Sequence, residues 1–202
     1  MTITSIMIDS LYMKRDIPVE RAPRLISPGA IALVTSFHKG DMNVMTAGWI
    51  TPVSFKPTLI GLNVHQDTLT HELIKKSGEF VLNIPTRDLL RQVRYCGSVS
   101  GRDQNKLKIA GLHEEGPQHV RPVLIAECIA HIECAVITSI TPGDHTQFIA
   151  EILCASADDE AFVDNYLLLQ KDLSPLHHLG GEVYSSLGEL LINDAALPKP
   201  AD

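Results

Sequence analysis

Residues 43–57, NVMTAGWITPVSFKP, set Asn43, Thr46, Thr51 and Ser54 around Trp49, the single tryptophan of the chain. Small hydroxyl and amide groups beside one large aromatic suit a wall that holds a flat ring with polar edges. The polar groups and backbone N–H meet the ring's oxygens and nitrogens, and the indole supplies apolar contact area. The same composition fits an edge strand with one polar face, so this stretch alone leaves two readings.

Other segments carry groups suited to a ligand. In LNVHQDTLTHELIKKS (residues 62–77) a helix start falls at Asp67 or Thr68, and a helix N-terminus offers unpaired N–H groups with positive partial charge. Plain N-capping accounts for Asp67 or Thr68, which leaves Thr70, within the first turn, spare for a ligand. In SGRDQNKL (residues 100–107) Gly101 lets the backbone turn while Arg102 and Lys106 place two cations close together. That pair fits either a phosphate or a solvated surface. In PGDHTQF (residues 142–148) His145 sits on a tip between two strands, at a barrel mouth or as an ordinary loop histidine. Tyr184, after the glycines of LGGEVYSSLG (residues 179–188), is a core tyrosine or one that stacks on a bound ring. The chain has no GxSxG, no paired-carboxylate signature and no HExxH-type spacing. Nucleophilic catalysis and a metal site are therefore disfavoured, and any chemistry falls to a cofactor. Cys128 and Cys134, read within one strand, are ~20 Å apart and beyond disulfide reach. Buried thiols are expected, with Cys96, beside Gly97 in a loop, the one candidate for reactivity.

The elements that must position these groups are mostly strands. Residues 29–37 (GAIALVTSF) read as a buried strand closed by a turn at Lys39, Gly40 and Asp41. Residues 44–50 and 59–64 read as the next two, joined by a Pro-bounded loop over 51–58, and residues 80–84 as a short fourth. Residues 125–138 and 146–154 form a hairpin around Pro142, Gly143 and Asp144. Helices are expected at 70–77, stopped by Gly78, at 87–95 with 89, 90 and 93 buried, at 103–109, and over 158–170. Many strands in series, few helices and no GxGxxG predict a mainly β, antiparallel barrel and argue against a Rossmann unit.

A chain of 202 residues and 22.1 kDa suffices for one well-filled domain, burying roughly 70% of its unfolded surface. The expected division is an arm over 1–25, a barrel domain over 26–192 and a tail over 193–202. A formal charge of −7 and pI near 5.7 argue against nucleic-acid or anionic-membrane partners, since no basic stripe offsets them. No apolar run approaches the ~20 residues of a membrane span. The first residues, MTITSIMIDSLYMKRD, lack the layout of a secretory leader, so the cytoplasm is the expected compartment.

In order and spacing, NVMTAGWITPVSFKP, GEFVLNIP (78–85), CGSVSGRDQNKL (96–107) and GDH (143–145) resemble the flavin reductase-like, FMN-binding split-barrel family, in its flavoredoxin-type branch. The resemblance runs from about residue 28 to 188 and implies a Greek-key split β-barrel that holds FMN non-covalently at a homodimer interface. Carried over position by position, it implies that Asn43, Thr46, Trp49, Thr51 and Ser54 line the isoalloxazine and ribityl chain, with Asn63 delivering backbone to the cofactor. Thr70 and Lys106 would hold the phosphate, His145 would approach the flavin as the catalytic side chain, and Tyr184 would stand near the ring. Lys56, ahead of Pro57, departs from the acidic or small residue of many relatives, and its expected effect is on the flavin rim or the substrate. The implied activity is NADH- or NADPH-dependent flavin reduction. An electron-carrier flavoprotein reduced by a protein partner is the alternative, and a flavin-free binding barrel the third reading. On physical grounds, an acidic chain needs a local positive site such as Lys106 for a phosphate of about −2 charge. The open side of such a barrel calls for a second copy to cover it.

Overall fold

Strands are the commonest regular element of the computed structural model, which describes residues 16–26, 29–163, 166–167 and 173–187. In chain order the strands are β1 (Gly29–Ala30), β2 (Ala32–His38), β3 (Asp41–Ala47), β4 (Ile50–Phe55), β5 (Thr58–His65), β6 (Glu79–Ile84), β7 (Glu114–Glu115), β8 (Leu124–Ile125), β9 (Ala130–Ile140), β10 (His145–Ala157), β11 (Phe162–Val163), β12 (Tyr166–Leu167), β13 (Leu176–Gly180) and β14 (Val183–Ser186). The α-helices are α1 (Leu69–Ser77), α2 (Leu90–Ser98) and α3 (Lys106–Ala110), with 3-10 turns at Val19–Leu25 and Arg87–Leu89.

The seven-stranded sheet runs β3-β2-β6-β9-β10-β5-β4, so its two edges, β3 and β4, are consecutive in sequence. Only Gly48 and Trp49 join them. Three Cα steps span at most ~11 Å, whereas a flat sheet of this order would hold its edges ~29 Å apart. The sheet must therefore curl until its edges approach. They do not pair with each other; instead the linker is tied to β5, where Asn63 N donates to Trp49 O at 3.0 Å. The result is a β-barrel split along β3 and β4, with few and short helices. β5 and β6 are adjacent in sequence but separated in the sheet by β10 and β9, and the crossing connection carries α1. Thr68 caps α1 by accepting from His71 N, and Gly78 stops it at φ +73, a left-handed position that suits glycine.

Alternation decides which side chains fill the barrel. Ala32 and Val34 of β2, Ile60, Leu62 and Val64 of β5, Phe80 and Leu82 of β6 and Phe148 and Ala150 of β10 form one buried cluster with Ile74 of α1. The opposite face of β2 and β3, with Leu33 and Val44, packs against Leu89, Val93 and Cys96 of the α2 segment and Leu107 of α3. Each fully buried large apolar side chain contributes about 1.5–3 kcal/mol. This second cluster fixes α2 and α3 on the outside of β3, beside the split.

Several elements differ from the sequence expectation. The run 29–37 is broken at Ile31, whose N–H donates to Leu176 O at 2.9 Å, so β1 leaves the barrel and joins a separate sheet, β1-β13-β14. The run 44–50 ends at Ala47, and most of the expected loop 51–58 is strand β4. Pro52 is tolerated there because β4 is an edge, with an irregularity in pairing between Pro52 and Ser54. The run 125–138 is interrupted by a turn, with Cys128 N bonded to Ile125 O at 3.0 Å, so Cys128 and Cys134 do not share a strand. The helix expected over 158–170 is not formed by the described residues of that stretch. The Asp158 carbonyl accepts from Ala161 N and Phe162 N in a single turn, after which β11 pairs with β12. Residues 164–165 and 168–170, like the arm before residue 16 and the tail over 193–202, lie outside the described residues. Among the described residues no helix is long and apolar enough to cross a membrane.

Candidate functional site

Three cavities adjoin one another around β3 and the linker to β4. The largest, about 710 Å³, lies between α2 and β3 and is lined by Thr46, Gly48, Arg91, Tyr95, Ser98 and Tyr184, among others. A second, about 440 Å³, shares Gly48 and adds Trp49, Thr51 and Asn63. A third, about 250 Å³, shares Gly97 and Ser98 with the largest and is walled by Asn43, Thr68, Thr70, Gly101 and Lys106. The split in the barrel creates this space, because the free edge of β3 and the two-residue linker have no neighbouring strand to fill it.

The small pocket is the most tightly built. Asn43 Nδ2 donates to Thr70 Oγ1 at 2.8 Å, and both residues are buried. A Cβ on Gly101 would stand 2.0 Å from Asn43 Oδ1, so only glycine lets the loop after α2 approach this closely. Lys106 is 4% exposed, and its ammonium donates to Cys96 O at 2.9 Å and Val99 O at 3.2 Å. These are carbonyls at the C-terminal end of α2, where a cation also complements the helix dipole. Burial pulls the Lys106 proton affinity below its ordinary value, with Cys96 opposing that shift. An ammonium has three donors, so one remains for a ligand. Of the two readings of the Arg102–Lys106 pair, a solvated surface does not hold for Lys106: the side chain is a buried structural anchor as well as a candidate anion ligand.

Arg102, the other cation of that motif, is diverted. Its guanidinium donates to Glu72 Oε2 at 2.8 Å, and the same carboxylate accepts from Lys76 at 2.6 Å. The Lys76 hydrogen bond, followed by that of Arg102, pulls the Glu72 carboxyl down to about 2. Cys96 lies in α2, not in a loop, and burial pushes its thiol up to about 11, which is the opposite of an activated thiol.

In the largest cavity Thr46 Oγ1 donates to Val93 O at 2.5 Å, tying β3 to α2 and leaving oxygen lone pairs for a ligand donor. Tyr184 lies against the His178 ring, centroids 5.0 Å apart. Trp49 is half-exposed, and its carbonyl also accepts from Asn63 Nδ2 at 3.3 Å. Thr51 lines the Trp49 cavity. Ser54 lies beyond the irregularity at Pro52 and lines none of the three cavities.

His145 opens β10 directly opposite His65 of β5. Its ring is 4.9 Å from that of Trp49 and 5.1 Å from that of His65, the latter edge-on. The Asp144 carboxylate accepts from His145 Nδ1 at 2.7 Å, and this bond holds the Asp144 carboxyl below its usual range. His145 lines none of the cavities and meets them only through Trp49. Behind it, His71 Nε2 is bonded to Thr146 Oγ1 at 2.8 Å. Burial lowers the His71 proton affinity, helped by Lys75 and His65. Among the described residues no three His, Cys, Asp or Glu side chains converge as metal ligands would.

Sequence reasoning missed the polar face of α2. Arg91, Arg94, Tyr95 and Ser98 all line the largest cavity, and their i, i+3, i+4, i+7 spacing was the available signal. Leu90, expected to be buried, is 39% exposed; the buried face is Leu89, Val93 and Cys96.

Comparison with known proteins agrees with this architecture. A family model described as the flavin reductase like domain matches residues 25–182. The uncharacterized protein YddH of Escherichia coli is 33% identical over 184 residues, 88% of this chain and 97% of that protein. An NADH-dependent FAD reductase of Streptomyces globisporus is 30% identical over 115 residues, 55% of this chain and 61% of its own. Among solved structures, an FMN-binding domain of a flavin reductases-like enzyme from Shewanella baltica is 29% identical with TM-score 0.76, covering 88% of this chain and 96% of that one. A flavoredoxin of Desulfovibrio vulgaris is 26% identical with TM-score 0.75, covering 91% and 95%. With the family model spanning most of its length, and a split barrel of this strand order, the chain belongs to the flavin reductase-like family.

Proposed function

We propose that the chain is an FMN-binding oxidoreductase that takes reducing equivalents from NADH or NADPH and passes them to a small acceptor. One observation carries the reading: a pocket of about 250 Å³, with the buried Lys106 in its wall, opens beside a larger cavity of about 710 Å³. FMN has the matching division into a dianionic phosphate and a flat ring. Lys106, with one N–H uncommitted, and the Asn43–Thr70 pair would hold the phosphate. Thr46, Gly48 and Tyr184 would wall the ring, with Trp49, Thr51 and Asn63 at its other margin. Bound FMN supplies the uptake and release of one or two electrons, chemistry that the chain's own side chains do not offer. The protein's part is to hold two reactants face to face and exclude water. His145, with Nδ1 committed to Asp144, keeps Nε2 available to take or hold a proton at the Trp49 end of the site. The NADH-dependent reductase of Streptomyces globisporus and the FMN-binding domain of Shewanella baltica support this reading.

The half-exposed Trp49 and the likeness to a flavoredoxin favour a second reading, an electron carrier reduced by a protein partner. In either case a homodimer is the expected assembly. Trp49 of the linker and Val53 and Phe55 of β4 are 47%, 46% and 91% exposed, and Thr51, Val53 and Gln147 gather over Gly61 on the outer face of the sheet. A partner copy would take this surface out of water. Light scattering that gives only the monomer mass of 22.1 kDa for FMN-loaded protein would contradict it.

The test of function is the visible spectrum of purified protein before and after NADH or NADPH is added without oxygen. Bleaching of the flavin band supports the reductase. A stable yellow protein favours the carrier, and no flavin uptake when FMN is supplied rejects both.

A further inference from the structure

We propose that Arg91 recognises an anionic group on the second redox ligand, the small molecule that exchanges electrons with the flavin. The proposal rests on the flavin reading above and assigns a role that it leaves open. α2 buries Val93 and Cys96 and turns Arg91, Arg94, Tyr95 and Ser98 into the 710 Å³ cavity. Arg94 is already paired with Glu182. Arg91 is exposed, and among the described residues no carboxylate pairs with it, so its guanidinium stands open to a ligand in the cavity. The same face carries a second unmet group: the Tyr95 hydroxyl is shielded from water and has no hydrogen-bond partner among the described residues.

Position separates Arg91 from the phosphate pocket. Lys106 is fastened to the carbonyls of Cys96 and Val99 at the C-terminal end of α2, whereas Arg91 is the second residue of that helix. At 1.5 Å per residue, Arg91 stands ~7.5 Å from Cys96 and ~12 Å from Val99 along the axis. Arg91 lines the large cavity and Lys106 the small one, so the two cations face different parts of the site. A ring resting against Thr46, Gly48 and Tyr184 would lie between the two. A partner stacked over that ring, with a phosphate or carboxylate a few ångströms from its reactive end, would bring the anion to the guanidinium, whose planar fork suits either group.

The experiment uses FMN-loaded wild type, Arg91→Ala and Arg91→Lys. Adenosine diphosphate ribose, which carries phosphates but is redox-inert, is titrated by the change it causes in flavin absorbance. Reduction is followed with N-benzyl-1,4-dihydronicotinamide, which has no anionic group, and reoxidation with anthraquinone-2-carboxylate and with uncharged menadione. In Arg91→Ala either the adenosine diphosphate ribose affinity falls or the KM for the anthraquinone carboxylate rises, by about tenfold or more. Which of the two changes tells whether donor or acceptor carries the anion. The uncharged reagents and the FMN affinity stay unchanged, and Arg91→Lys recovers part of the loss. A fall in FMN affinity would move Arg91 to the cofactor and overturn the proposal, as would unchanged behaviour towards both anions. Failure of wild type to bind FMN is a separate result, because it removes the flavin reading first.

Discussion

Replacing Lys106 tests both its anchoring of the α2 end and its proposed contact with the FMN phosphate. In Lys106→Ala the carbonyls of Cys96 and Val99 lose their donor, and the buried four-carbon stem leaves a gap beside Leu107 and Cys96. Two charge-assisted hydrogen bonds, net of desolvation, and the lost packing together cost about 2–4 kcal/mol. For a domain of this size that lowers Tm by about 5–15 °C. Separately, the uncommitted N–H would no longer reach the phosphate, a loss of about 1.5–3 kcal/mol, which weakens FMN binding by about 10- to 150-fold. The assay is a thermal melt of the flavin-free protein and a fluorescence titration of FMN, run on Lys106→Ala and Lys106→Met. The methionine keeps the stem and not the charge, so it recovers part of the Tm and none of the affinity. An unchanged melt would refute the anchor, and an unchanged FMN affinity would remove Lys106 from the site.

Other outcomes follow from single contacts. Gly101→Ala forces its Cβ against Asn43 Oδ1, so the loop or the Asn43–Thr70 bond must give way; FMN titration should show weaker binding, and unaltered binding would show that the loop yields freely. His71 carries a proton affinity lowered by burial, so below the ordinary imidazole value the unfolded chain binds more protons than the folded one. Stability should be full above about pH 6.5 and fall as pH drops through it, at no more than about 1.4 kcal/mol per pH unit, until the lowered folded value is passed. His71→Gln should therefore lose less Tm between pH 8 and pH 5.5 than wild type does, and equal losses would contradict this. If His145 stabilises the reduced flavin, His145→Ala lowers the midpoint potential by tens of millivolts, where about 30 mV corresponds to 1.4 kcal/mol for a two-electron couple. An unchanged potential would take this role from His145.

What could be read from the sequence was local. Gly78, the Thr68 cap and the Pro142–Gly143–Asp144 turn act within a few residues; α1 forms where its pattern places it, and the turn joins β9 to β10 although β9 begins only at Ala130. What escaped was set at a distance. The break between Ala47 and Ile50 exists because the sheet must close, a demand written in strand order and not in those residues. Arg102 was legible as a cation but not as the partner of Glu72, 30 residues away. Lys106 was legible as a cation, while its burial depends on how α3 packs on the end of α2. The polar stripe of α2 was present at helical spacing, but such a stripe usually faces solvent; only the split beside β3 turns it into a cavity wall. His145 and Ser54 show the reverse case, since their motif was plain and yet neither lines the cavities formed by this single chain.

In the proposed complex the chain holds FMN by its ring and, through Lys106, by its phosphate. Riboflavin has the same ring and ribityl chain without the phosphate, so the affinities of the two ligands, measured side by side by fluorescence titration, isolate the pocket. One FMN per chain is expected, bound at least about tenfold more tightly than riboflavin, with that preference lost in Lys106→Met. Equal affinities in wild type, or no uptake of either ligand, would contradict it.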